Sequence, residues 1–209
     1  MKPPMFDPPY ESPIEELFAW NVVKYLDSSV DFEKQVSVRT ICGEFRLDFL
    51  AQYEGKRVAF ECDGREYHDL NRKGRDEWRD AMILGGNAAD VIYRLRGTDL
   101  MYHTEDLLFM VSKLDPELFP GRSQLILRKL ASQEARSYDT SDDAIRILVP
   151  YRDKQIGVDP AYTFLEREPR VPPKPGQRLF WRHLYEFARN YGGGSLDAIK
   201  QAYWEEIVT

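Results

Sequence analysis

Histidine and cysteine are scarce in this chain, with 3 His and 2 Cys (Cys42 and Cys62) among 209 residues. No closely spaced set of Cys and His offers the ligand pattern of a structural zinc site. Cys62 lies inside an apolar strand pattern, so the expectation is reduced thiols and a cytoplasmic setting rather than a disulfide framework. No Gly-rich phosphate loop follows a strand pattern and no Gly-x-Ser-x-Gly elbow is present, which sets aside P-loop and serine-hydrolase chemistry. No apolar run approaches the roughly 20 residues of a membrane helix. The start, Met1-Lys2-Pro3-Pro4, has no apolar signal segment, so no membrane partner is expected. Cations are also outnumbered: 29 Lys+Arg against 35 Asp+Glu leave a formal net charge of -6. That argues against a protein whose whole surface grips nucleic acid.

What the chain does have is apolar mass and unevenly placed acid. Hydrophobic residues make up 43% and aromatics 13%, ample for a packed core. Residues 1–114 carry 15 Lys+Arg and 21 Asp+Glu, whereas residues 115–209 carry 14 of each, so the excess of acid lies in the first half.

That half centres on a hairpin pattern. Phe45, Leu47, Phe49 and Ala51 alternate with Arg46, Asp48 and Leu50, and Val58, Phe60 and Cys62 alternate with Ala59, Glu61 and Asp63. With Glu54-Gly55 as a two-residue turn, Tyr53 faces Lys56 and Asp48 falls opposite Glu61. Opposed residues have Cβ atoms roughly 4.5 to 5.5 Å apart. Two carboxylates at that spacing repel unless a cation sits between them, and Asp63 follows on the same face. A preceding strand spans about residues 32–41. With Cys42-Gly43 as its turn, Ser37 falls opposite Asp48 and Gln35 opposite Leu50, which puts Gln35 and Ser37 on the acidic face.

The rest of the first half reads as an α/β unit. Residues 1–11 are Pro-rich and form an extended arm. Ser12-Pro13-Ile14-Glu15 is a helix start, with Ser12 as N-cap and Glu15 at the capping-box position. Its apolar stripe runs to about Leu26. A helix is expected from about Arg72 to Leu84, ended by Gly85-Gly86-Asn87, with Arg72, Arg75 and Arg79 on one side. Val91 to Leu95 is a buried strand, plausibly parallel to a neighbour, and one long helix follows to about Leu114. Residues 115–209 form an accessory, mostly helical region. It holds a helix at 123–136, a strand at 145–149, a Pro-rich connector at 168–176 and helices at 178–191 and 195–208.

Oxygen ligands of this kind suit a hard cation such as Mg2+, with Mn2+ as substitute, and suit phosphodiester hydrolysis. The order of motifs resembles the very-short-patch-repair-like branch of the PD-(D/E)XK nucleases. The residues that carry the resemblance are Ser12-Pro13-Ile14-Glu15, Gln35, Asp48 in Arg-x-Asp-Phe, Glu61-x-Asp63-Gly64 with Tyr67-His68, Arg75-Asp76, Arg79-Asp80 and Val91 to Arg94. They span about residues 12–100. The resemblance implies a restriction-endonuclease-like core with a mixed central sheet flanked by helices. It also implies a Mg2+-dependent DNA endonuclease of repair or of defence against foreign DNA, with RNA as another possible substrate and a homodimer or larger complex as its assembly. Asp48 and Glu61 would bind the metal, Glu15 would reach in from the first helix, and Asp63 and His68 would complete the site. Gln35, Ser37, Arg72, Arg75 and Arg79 would contact substrate. The superfamily's usual lysine, two positions after the second acid, is here Asp63.

Each of these residues also has a plainer reading. Glu15 serves a capping box, Asp63 pairs with Arg46 across the hairpin, His68 is a loop residue, and the arginines form a solvated helix face paired with Asp76 and Asp80. Trp181, Tyr185 and Phe187 fit a core better than a base-stacking platform. A catalytically silent nucleic-acid-binding or interaction module is the competing function.

Overall fold

The computed structural model describes residues 10–63, 70–138, 146–151 and 161–208. Its centre is a six-stranded mixed sheet in the order β1-β2-β3-β4-β6-β5. The strands are β1 (Asp31–Thr40), β2 (Gly43–Tyr53), β3 (Lys56–Asp63), β4 (Val91–Arg96), β5 (Arg146–Tyr151) and β6 (Ala161–Pro169). Among the described residues only the β3–β4 pair is parallel, joined by the crossover helix α2 (Leu70–Gly85). β3 and β4 are the central strands and read as nearly continuous apolar runs, because both of their faces are covered.

Helices cover each face. On one side α1 (Pro13–Val22), α4 (Thr104–Leu114) and α5 (Gly121–Leu130) bury Phe18, Leu108 and Leu127 against Phe49, Phe60 and Tyr93. On the other, α2, α7 (Phe180–Tyr191) and α8 (Leu196–Val208) bury Trp78, Trp181 and Tyr203 against Leu47, Leu50 and Ile92. Trp181 is 7% exposed. The core reading of that residue therefore holds. Gly85 marks how closely α7 approaches α2: a Cβ there would collide with the Tyr185 ring.

Several expectations are corrected. The long helix after β4 is two, α3 (Gly97–Tyr102) and α4, parted at His103, whose backbone leaves the helical region (φ -137, ψ 29). The helix expected at 123–136 is likewise split into α5 and α6 (Gln133–Ser137). Ser132 causes the break: its N–H donates to buried Asp106 at 2.7 Å while its hydroxyl caps α6 through the N–H of Ala135. Residues 115–209 share the first half's sheet, because β6 pairs antiparallel with β4. Among the described residues no helix is long and apolar enough to cross a membrane.

Candidate active site

The β2–β3 register matches the sequence expectation, with Tyr53 opposite Lys56 and pairing continuing to Phe49 opposite Phe60. Asp48 and Glu61 stand at the next level, where the ladder stops. Asp48 explains why it stops: its carboxylate accepts the backbone N–H of Cys62 at 2.8 Å, taking a donor the strand would have used.

The β1–β2 register differs from expectation by two residues. The turn is Ile41-Cys42, followed by Gly43 at φ +115, so Thr40 pairs with Gly43 and Ser37 faces Arg46. The Thr40 hydroxyl donates to the Gly43 carbonyl and accepts from the N–H of Cys42, which locks this turn in preference to Cys42-Gly43. Ser37 is exposed and outside the acid cluster. Gln35 takes its place at the level of Asp48, between the pairs Lys34–Phe49 and Val36–Leu47.

At that level both strands change face. Phe32, Phe49 and Ala51 pack into the α1/α4 core, while Val36, Val38, Phe45 and Leu47 pack into the α2/α7 core. Strict alternation would put each strand's set on a single face. Gln35 sits at φ +53, a left-handed conformation uncommon for a residue with a Cβ. One extra residue in each strand at one level inverts the pleat and leaves the register intact. Periodicity alone had no means of showing this.

The acids around this level are buried (Glu61) or half-buried (Asp48 and Asp63), and among the described residues Arg79 and Arg94 only partly offset them. The Asp48 carboxyl is pushed up to about 7, first by burial and then by the charge of Glu61, against the opposing Cys62 N–H bond. Glu61 is 6% exposed and is also raised by burial, with Arg79 and Arg94 acting against the rise. Asp63 is pushed up to about 6 by burial, although Arg94 opposes it. Among the described residues its Oδ2 is buried without a hydrogen-bond partner, as is Oε1 of Gln35.

Glu15 serves its capping box and more. It accepts from the Ser12 hydroxyl at 2.9 Å, the N–H of Glu11 at 3.2 Å and Nε2 of Gln35 at 2.8 Å. These donors hold it next to the cluster, where its charge adds to the rise at Asp48.

Arg79 turns inward rather than toward solvent. Its Nη2 donates to Glu61 at 2.9 Å and to the Arg46 carbonyl. The expected Asp63–Arg46 pair is absent: Asp63 lies 3.6 Å from Arg94, and Arg46 pairs with Glu11. Arg94, on β4 beside Glu61, also binds Asp80 at 2.6 and 2.9 Å. The sequence carried a sign of this pair, because an arginine in the middle of Val-Ile-Tyr-Arg-Leu needs a buried partner. His68 and the side chains of Arg72 and Arg75 lie outside the described residues.

Among the described residues no group of three or more His, Cys, Asp or Glu side chains is arranged to hold a metal ion. Two carboxylates remain, Asp48 and Glu61, which suits Mg2+, an ion usually held by one or two carboxylates plus water and substrate phosphate. No family model matches the chain, and neither does any curated protein or solved structure.

Proposed function

We propose that this chain is a Mg2+-dependent nuclease hydrolysing phosphodiester bonds of DNA, on a core related to the PD-(D/E)XK nucleases. The observation that carries the reading is Asp48: a half-buried carboxylate, fixed by the Cys62 N–H, whose charge is disfavoured by burial and by buried Glu61 more than Arg79 offsets among the described residues. Perturbed, convergent acids of this kind are a common mark of functional sites. Asp48 and Glu61 would hold the ion, which when bound supplies positive charge against the phosphate's developing negative charge. Gln35 and Ser12 keep Glu15 in place. Arg79 orients Glu61 through its guanidinium. Asp63 occupies the usual lysine position and, titrating near 6 with a free Oδ2, can accept or release a proton at that atom near neutral pH. RNA is the alternative substrate of the same site, and cutting both strands of a duplex would call for two copies of the chain.

One observation favours the silent-module reading. Arg79 already neutralises part of the charge on Glu61, and no lysine stands at the usual place. The deciding experiment incubates the purified chain with Mg2+ or Mn2+ and duplex, nicked, mismatched and single-stranded DNA, with RNA as a further substrate. Cleavage lost in Asp48→Asn and Glu61→Gln is the expected result. Absence of cleavage, together with DNA binding indifferent to both variants and to chelator, would establish the silent module instead.

A further inference from the structure

Away from the acid cluster, α4, α5 and α6 enclose two contiguous depressions, of about 740 and 600 Å³. They share Leu125, Arg128 and Arg136, so together they form one groove. Lys113 and Gln124 line the first depression, and Lys129, Gln133 and Ser137 the second. No carboxylate lines either depression among the described residues. That is unexpected in a chain of net charge -6.

The cations are uncommitted as well as clustered. Arg128, Lys129 and Arg136 are exposed and have no ion pair among the described residues, and Lys113 is engaged only by the Tyr138 carbonyl and the Phe109 ring. A third depression provides the contrast. It is lined by Lys56 and Arg167 but also by Glu54 and Asp90, and both of its cations are bound to Asp115. The dipole of α5 favours cations in its last turn, but it does not account for a groove without acids, nor for Arg136 on a separate helix.

We infer that the α4–α5–α6 groove binds the phosphate backbone of a nucleic acid, as a holding site separate from the acid cluster. A groove offering arginine and lysine cations together with the Gln133 amide fits a chain of repeating anions. The choice of nucleic acid among polyanions rests on the nuclease reading, whereas the anion preference stands on the groove alone. The position is consistent with this division of labour. Lys113 and Pro116 adjoin Asp115, which binds Lys56 at the start of β3, while Asp63 ends that strand.

The test measures binding of a fluorescent duplex and of a single strand to the full chain, in chelator, over a range of salt. The variants are Arg128→Glu/Arg136→Glu, both on the surface, and Asp48→Asn. The double reversal should weaken binding about tenfold or more at low salt and reduce the log–log salt slope by about two. Asp48→Asn should bind like wild type. In cleavage assays the double reversal should raise KM and leave kcat unchanged. Wild-type affinity in the double reversal overturns the proposal, as does binding of polyglutamate or anionic vesicles without binding of nucleic acid. Binding that responds to the reversals in a chain that never cleaves would sink the nuclease reading and leave the groove standing.

Discussion

Two sets of buried and half-buried carboxylates lie toward opposite ends of β3, and they have opposite electrostatics. Asp115 is fully buried, yet Lys56 reaches it at 2.5 Å and Arg167 at 3.2 Å, and the Tyr93 hydroxyl donates to it as well. Burial by itself would raise its pKa, but Arg167 and Lys56 outweigh that and hold it below the ordinary value. Asp48 and Asp63 are less buried, yet they are pushed up to about 7 and about 6. One set is complete within the chain and ties β3, β4 and β6 together. In the other, the cations among the described residues do not offset burial, and such a deficit is what a ligand of positive charge can relieve.

Mutation can break this contrast, and the largest effect is expected at Asp115. Asp115→Asn leaves the largely buried Arg167 without its anion, while Lys56 keeps Glu117, and should destabilise the protein by about 3 to 5 kcal/mol in urea unfolding. A loss under about 1 kcal/mol would mean that the cluster is not the clamp described. Asp48→Asn should act in the other direction. A carboxyl whose folded pKa is raised contributes stability that is complete below its unfolded pKa, near 3.8, and is lost as pH rises through about 7. Removing the charge while keeping an acceptor for Cys62 should therefore stabilise the chain by about 2 to 4 kcal/mol near pH 8 and have little effect near pH 4. Destabilisation at both pH values would place Asp48 with Asp115, as a satisfied structural acid. The smallest effect concerns the residue that shapes the acidic end. Gln35→Ala loses the hydrogen bond to Glu15 but keeps a Cβ at φ +53, whereas Gln35→Gly relieves the backbone. The glycine variant should be the more stable of the two by about 1 kcal/mol, and equal stability would show that this bulge carries no backbone strain.

The fold was largely legible where local rules act alone. Ser12 and Glu15 announced α1, the Gly85-Gly86-Asn87 stop placed the end of α2, and the Glu54-Gly55 turn set the β2–β3 register correctly. The β1–β2 turn was misread because Ile41-Cys42 carries no turn signal of its own. It is selected by the Thr40 side chain and by Gly43 just beyond it. In the second half the strand expected at 145–149 is β5, whereas β6 was not expected. β6 is held by its place against β4 and by Arg167 reaching Asp115, and neither is local to its sequence. In the candidate site, Asp48 and Glu61 could be paired by counting along the hairpin. Arg79 and Arg94 could not be assigned to their partners, because a helix position and a strand position say nothing of each other until α2 crosses over the sheet.

The sequence by itself determined that acids gather on the β2–β3 hairpin and that a helix, an arginine-bearing strand and a second hairpin strand must lie near them, since spacing, caps and turn lengths are properties of contiguous residues. Only the tertiary structure decided which of those acids are neutralised. Burial and the approach of cations from α2, β4 and β6 set each carboxylate's charge balance, and those distances exist only once the layers have packed. The same packing left Arg128 and Arg136 facing one groove that no carboxylate lines among the described residues, a juxtaposition set by the packing of two helices.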